Sequence, residues 1–431
     1  MKIAGKTAAE IFDSVRLLAQ SGGLAPGQAL PPVRELAVAL DVNRNTVATA
    51  YRRLVHAGIA LSQGRLGTLI RPQESPVEQE GSLPGSPLAD LASGNPATAW
   101  LPDLPAALAR RAYRPRLYGE APVNPGLEAY ARAWLGADCA DDCCIDLTHG
   151  AVDAIERLLA AHLVPGDKVA VEHPCFLSSI STLRVAGLQA VGVPVDAEGM
   201  RPEALEDALA QGVQAVIVTP RAHNPTGCSL STRRARALRQ LLARHPHVLV
   251  IVDDHFAMLS EVPYHTVIPA SAQRWALIRS LSKALGPDLR LAFVASDAQT
   301  SRRLRLRLAC GTHWVSHLLQ DIVEACLVAP DFTARIAQAR HDYTRRREAL
   351  ATALARQGIA PLPGADGLNL WLPLQRDGQP VAYALARLGW LVRNGEAFGV
   401  QTPAQGLRIT TATLDEDQAQ RLALDLKRCL G

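Results

Sequence analysis

Within Ser280-Leu-Ser-Lys-Ala-Leu-Gly-Pro-Asp-Leu-Arg290, an amine, two hydroxyls and a forked cation follow one another closely. The Lys283 amine can condense with an aldehyde to an imine. Ser280 offers a hydroxyl and Arg290 a bidentate guanidinium to a phosphate, with Ser282 between them. A lone lysine on a loop is ordinarily a solvated charge, so its company decides. Thr148-His-Gly-Ala-Val-Asp-Ala-Ile155 starts a helix after a short strand, and the free amides of Ala151 and Val152 at that helix N-terminus can also cradle a phosphate. Asn224 in an Asn-Pro-Thr-Gly run, Asp253 at a strand end, Phe176 and Arg408 each have a plain explanation alone: a turn, a cap, a core ring and a surface strand residue. Their joint occurrence does not.

A second constellation lies near the start. Asn43, Arg44, Asn45 and Thr46 open a helical segment whose free amides and positive dipole end favour phosphate, and whose first turn can enter the major groove of double-stranded DNA. Arg44 can read a guanine edge and Asn45 an adenine edge, while Arg34 and Arg65 suit phosphate or minor-groove contact. The plain alternative is that these polar groups merely cap and solvate a helix. Up to Arg71 the chain is basic, with Arg52, Arg53 and Arg71 added to that set among few acids, the electrostatic footprint of a nucleic-acid partner.

The elements that position these groups follow from periodicity. Thr7 to Gln20, Val33 to Leu40 and Asn45 to Ala57 carry apolar residues at helical spacing. Asp41, Val42 and Asn43 form a turn of the length that joins the two helices of a helix-turn-helix. Val47, Ala50, Tyr51 and Leu54 are core positions of the third helix. Ile59 to Ile70 sets two short apolar strands around a Gly-rich turn, which predicts a hairpin or wing. Residues 73–89 are rich in Pro, Glu, Gly and Ser, the composition of an exposed, mobile linker. Beyond it, helices alternate with apolar strands such as Lys168 to Glu172, Ala215 to Thr219, Val248 to Asp253 and Ala292 to Ser296, which predicts an α/β domain with a mostly parallel, doubly covered sheet. The expected organisation is 1–72 winged helix, 73–89 linker and 90–431 α/β domain.

A chain of 431 residues is long enough for two or three domains. With 48% hydrophobic and 20% charged residues and no apolar run of about 18, neither a disordered nor a membrane-spanning class fits. Net charge is only +4, which argues against a protein coated in nucleic acid. The first 18 residues carry no leader pattern, so a cytoplasmic place is expected. Cys139, Cys143 and Cys144 lack the second ligand pair of a closed zinc site, and no metal is expected.

The stretch Leu30-Pro-Pro-Val-Arg-Glu-Leu-Ala-Val-Ala-Leu-Asp-Val-Asn-Arg-Asn-Thr-Val-Ala-Thr-Ala-Tyr-Arg-Arg-Leu54 resembles, nearly position for position, the winged helix of GntR regulators. The lysine run resembles that of fold-type I enzymes dependent on pyridoxal 5'-phosphate (PLP), and its form with Arg seven residues after Lys is similar to the MocR subfamily. The resemblance implies an aminotransferase-like PLP domain in which Lys283 holds the cofactor, Asn224 bonds its phenolic oxygen and Asp253 pairs with its pyridinium nitrogen. It places Phe176 on the ring, Arg408 on a substrate carboxylate, and Tyr118 at the phosphate of a neighbouring subunit. One departure stands out: the family's Tyr two residues after the Asp is His255 here, which can donate the same bond but titrates nearer neutrality. Implied is a homodimeric, PLP-responsive transcription regulator, with PLP as cofactor and possible effector and vitamin B6 genes as targets. The alternative is an aminotransferase with residual or full transamination activity.

Overall fold

The structure is a computed structural model that describes residues 2–62, 67–71, 80–81, 85–110, 114–140 and 142–431, with the backbone only at His56. The chain divides into two units. In the N-terminal one, α1 (Ala8–Gln20) is capped by Thr7, whose side chain accepts from the Glu10 amide, and buries Ile11, Val15 and Leu18 along one stripe. α2 (Val33–Leu40) ends at Asp41 in the left-handed region, and α3 (Arg44–His56) starts at Asn43, whose Oδ1 accepts from the Asn45 amide at 2.8 Å. The anticipated helix-turn-helix is therefore formed. Val47, Ala50, Tyr51 and Leu54 of α3 close its core against Leu36, Ala37, Ala60 and Ile70. β1 (Ala60–Ser62) and β2 (Thr68–Ile70) pair antiparallel, as a wing requires.

In the larger unit β3 (Ala89–Leu91) joins a small sheet described below. The main sheet consists of β4 (Cys144–Thr148), β5 (Lys168–His173), β6 (Gln189–Asp196), β7 (Gly199–Met200), β8 (Ala215–Val218), β9 (Leu249–Asp253), β10 (Trp275–Ser280) and β11 (Ala292–Ser296). Its order is β4-β11-β10-β9-β8-β5-β6-β7. β10, β9, β8, β5 and β6 pair in parallel, and β11 runs antiparallel between β10 and β4. Strands β8, β9, β10 and β11 are buried throughout, as expected of a sheet covered on both faces. β12 (Asn369–Pro373), β13 (Trp390–Asn394) and β14 (Gly406–Thr410) form the second sheet, ordered β12-β14-β13-β3. Among the described residues no helix is long and apolar enough to cross a membrane.

The strand ends are fastened by one fully buried carboxylate. Asp254, just past β9, accepts two bonds from Arg221 at 2.8 Å each and one from Nε of Arg279 at 3.0 Å. Arg279, on β10, also reaches the Trp134 carbonyl at 2.9 Å and Asp138 at 2.5 Å. Removing the shared charge takes the buried Arg221 guanidinium's acidic partner away and leaves Arg279 with Asp138, a loss of about 3–5 kcal/mol. Asp254→Asn should lower the denaturant midpoint accordingly. All six tryptophans lie in the larger unit, so their fluorescence follows that unit alone. An unchanged midpoint would refute this role for Asp254.

Candidate functional site

Since β4, β5, β8, β9 and β10 point one way and β11 the other, the residues after the first five and before the last line one edge of the sheet. Gly150 to Val152, Phe176, Asn224, His255, Lys283 and Arg290 all occupy such positions. That is where ligands bind in open α/β sheets. At one end of the edge, the helix Ala151–His162 starts from Gly150 (φ +95°) with no side chain capping it, which leaves the Ala151 and Val152 amides facing out. Arg290 stands over this N-terminus: a Cβ on Gly150 would lie 3.8 Å from its guanidinium carbon. Arg290 itself adopts φ +43°, a strained setting for a residue with a side chain. Ser280 ends β10, and its Oγ accepts from the Ser282 amide at 3.3 Å. Helix amides, hydroxyls and a guanidinium at this edge of the sheet are the donors, and the sign of charge, that a phosphate needs.

Asp253 ends β9, and its Oδ1 is buried without a hydrogen-bond partner. Burial, reinforced by the Asp254 charge, pushes this carboxyl up to about 7. A cationic nitrogen donor placed there would satisfy the oxygen and return the group to its carboxylate form. His255 lies two residues on; burial and the Lys283 charge push its imidazole down to about 4, so at neutral pH it is an uncharged donor. Phe176 is partly buried at the start of the helix Leu177–Val185. Lys283, on the single turn Ser282–Leu285, points its Nζ at the Gly94 carbonyl, 2.7 Å away. Burial depresses its ammonium, Glu80 opposes that and Arg408 adds to it. An orphaned acid, a neutral imidazole, a depressed amine and a phosphate cradle fit PLP.

Arg408 is fully buried on β14 and bonds Asn224 Oδ1 at 2.9 Å, so the two sheets meet at this pair. Two features here escaped the sequence. Glu80, in a stretch whose composition suggests open solvent, has a side chain only 19% exposed that grips Arg408. Nothing but a Glu in a polar run announced it. The second is the pair Glu172 and His223, with His223 Nε2 3.4 Å from a Glu172 oxygen. Burial raises Glu172 to about 8 and lowers His223 to about 3, so both are uncharged at neutral pH. Tyr118 is 93% exposed beside Trp314.

In the N-terminal unit Arg34, Arg44 and Asn45 are exposed and Thr46 partly so. Asn43 is exposed and spends its side-chain oxygen on the cap. Arg65 lies outside the described residues. Among the described residues no group of three His, Cys, Asp or Glu is placed to hold a metal ion.

Comparison with known proteins agrees with both halves. A family model described as aminotransferase class I and II matches residues 87–426, and one described as bacterial regulatory proteins, gntR family, matches residues 7–70. The vitamin B6 salvage pathway transcriptional repressor PtsJ of Salmonella typhimurium is 58% identical over 429 residues, covering 100% of each chain. The probable rhizopine catabolism regulatory protein MocR of Rhizobium meliloti is 26% identical over 392 residues, 81% of this chain and 77% of that one. The kynurenine aminotransferase of Pyrococcus horikoshii, solved with PMP, superposes with a TM-score of 0.71 at 24% identity, over 80% of this chain and 92% of the other. That likeness shows the fold. The chain belongs to the gntR-family regulators whose larger part is an aminotransferase class I and II domain, the group that includes MocR.

Proposed function

We propose that this regulator binds PLP in the cleft at Lys283 and that the bound cofactor changes its hold on double-stranded DNA. The orphaned oxygen of Asp253 carries the proposal, because a pyridinium nitrogen is the partner that a buried, unpaired acid at that strand end lacks. When bound, PLP supplies an aldehyde that captures amines and a ring that draws off electrons. Lys283 holds it, and Ser280, Ser282, Arg290 and the Ala151 and Val152 amides take the phosphate. Phe176 covers the ring. Asn224 and neutral His255 donate to its phenolic oxygen. Tyr118 is assigned to the phosphate of the neighbouring subunit in a homodimer, and its exposure suits a residue reserved for a partner. Arg408 is the carboxylate subsite. At the other end, Arg44 and Asn45 are assigned to base edges, and Arg34, Asn43, Thr46 and Arg65 to the DNA backbone or minor groove.

The name of the Salmonella relative supports repression of vitamin B6 salvage genes, a role that suits a cytoplasmic protein working beside its DNA. PLP must favour one arrangement of the DNA-binding units over another to be felt there.

Fluorescence anisotropy on the chain's own upstream DNA tests this directly. Affinity should change when PLP is added, and Lys283→Ala should bind DNA but ignore PLP. Arg44→Ala should cost about 1–3 kcal/mol of specific DNA binding while PLP binding stays intact. No specific DNA binding in either state, together with steady turnover of an amino acid and a keto acid, would replace the regulator by an enzyme. Asp253 makes a second test. A carboxyl raised in the fold is protonated more readily there than in the unfolded chain, so the cofactor-free protein loses stability as pH rises from about 4 to about 7. Asp253→Asn should therefore raise the cofactor-free melting temperature at neutral pH and weaken PLP binding by about 10- to 100-fold. An unchanged PLP affinity would contradict the pairing.

A further inference from the structure

The Glu80 carboxylate fills the fork of Arg408: Oε1 lies 2.5 Å from Nη1 and Oε2 2.7 Å from Nη2. Asn224 Nδ2 donates to the same Oε1 at 2.9 Å, and Arg408 Nη2 also donates to the Ala92 carbonyl. The adjoining backbone is fastened as well, for the Gly81 amide donates to the Ser93 carbonyl at 3.0 Å and Arg393 donates to the Gly81 carbonyl at 3.1 Å. Gly94 leaves the room, since a Cβ there would stand 2.7 Å from Glu80 Oε2. The carbonyl of that same Gly94 receives the Lys283 amine. Burial opposes ionisation of Glu80, but the charge and hydrogen bonds of Arg408 outweigh it and hold the group below its ordinary value. It is a carboxylate at neutral pH.

A guanidinium fork with an amide donor, set beside the lysine amine, is what the carboxylate of an α-amino acid needs when its nitrogen is delivered to that lysine's position. The chain has put its own carboxylate there. We propose that Glu80 is a built-in competitor that keeps free amino acids off Arg408, so that the cleft answers to PLP and discriminates against carboxylate-bearing amines. This rests on the PLP reading above. A tethered carboxylate acts at an effective concentration of about millimolar or more, so a free amino acid must displace it before its own carboxylate can dock. An amine without a carboxylate has no use for Arg408 and meets no such competition.

The test compares the parent protein with Glu80→Gln and Glu80→Ala after loading with PLP, following the visible absorbance change as L-alanine or ethylamine is added. Both variants should bind L-alanine more tightly, Glu80→Ala by about tenfold or more, with ethylamine affinity unchanged. If alanine and ethylamine change together, or neither changes, the competitor role is overturned. A parallel measurement needs no cofactor. Acetate should raise the melting temperature of cofactor-free Glu80→Ala, by refilling the fork, more than it raises that of the parent. Equal acetate shifts overturn the pairing. A complete lack of a PLP absorbance band would instead defeat the cofactor reading, and the acetate result would still decide whether Glu80 occupies a carboxylate site.

Discussion

One buried anion holds the cleft together. Asp254 ties Arg221, which follows β8, to Arg279 on β10, and Arg279 extends the tie to Trp134 and Asp138. A carboxylate shared between two guanidinium groups is satisfied on both oxygens, which is the condition for charges to survive in the interior. Around it lie the pieces with chemistry in them: Asp253 is its chain neighbour, Asn224 lies three residues past Arg221, and Ser280 and Lys283 follow Arg279. The rings of Trp134 and Tyr264 lie against the Arg279 guanidinium carbon at 4.8 and 5.4 Å, adding cation–π contact to the same joint.

Against that satisfied pair, the neighbouring groups are conspicuously unsatisfied. Asp253 keeps a bare oxygen, Lys283 has its ammonium depressed, and Glu172 and His223 are driven neutral by burial. Perturbed groups cluster at functional sites because ligand binding, rather than folding, supplies their partners. Glu80 fits the same economy from the other side. It neutralises Arg408, a fully buried cation whose other neighbours include the Asn224 oxygen, the Ala92 carbonyl and the Phe398 ring. A carboxylate ligand must therefore offer Arg408 more than its resident partner does.

Much of this was legible in the sequence, and for definable reasons. Apolar spacing at 3.6 and contiguous apolar runs are short-range signals, so the helices of the N-terminal unit and strands such as Leu249–Asp253 and Ala292–Ser296 fall where expected. The Asn-Pro-Thr-Gly turn, the strand-end Asp253 and the lysine turn were visible because each combines a local backbone requirement with a functional side chain. What stayed hidden depends on long-range placement. Glu80 meets Arg408 across 328 positions of chain, and no local pattern in a polar run foretells it. Asp254 was adjacent to the residue singled out, yet periodicity could not say that its side chain meets two arginines while an oxygen of Asp253 stays unpartnered. Asn43 illustrates the reverse, a residue of DNA-binding type whose side-chain oxygen is committed to a helix cap.

Reduction of the PLP-loaded protein with borohydride, followed by peptide mass mapping, asks most directly whether this cleft is the cofactor site. The chain has only five lysines, Lys2, Lys6, Lys168, Lys283 and Lys427, so the position of a trapped pyridoxyl group is unambiguous. Attachment at Lys283 alone, lost in Lys283→Ala without appearing elsewhere, is the expected result. Labelling of Lys168 or the terminal lysines with Lys283 untouched, or no label at all, would contradict it.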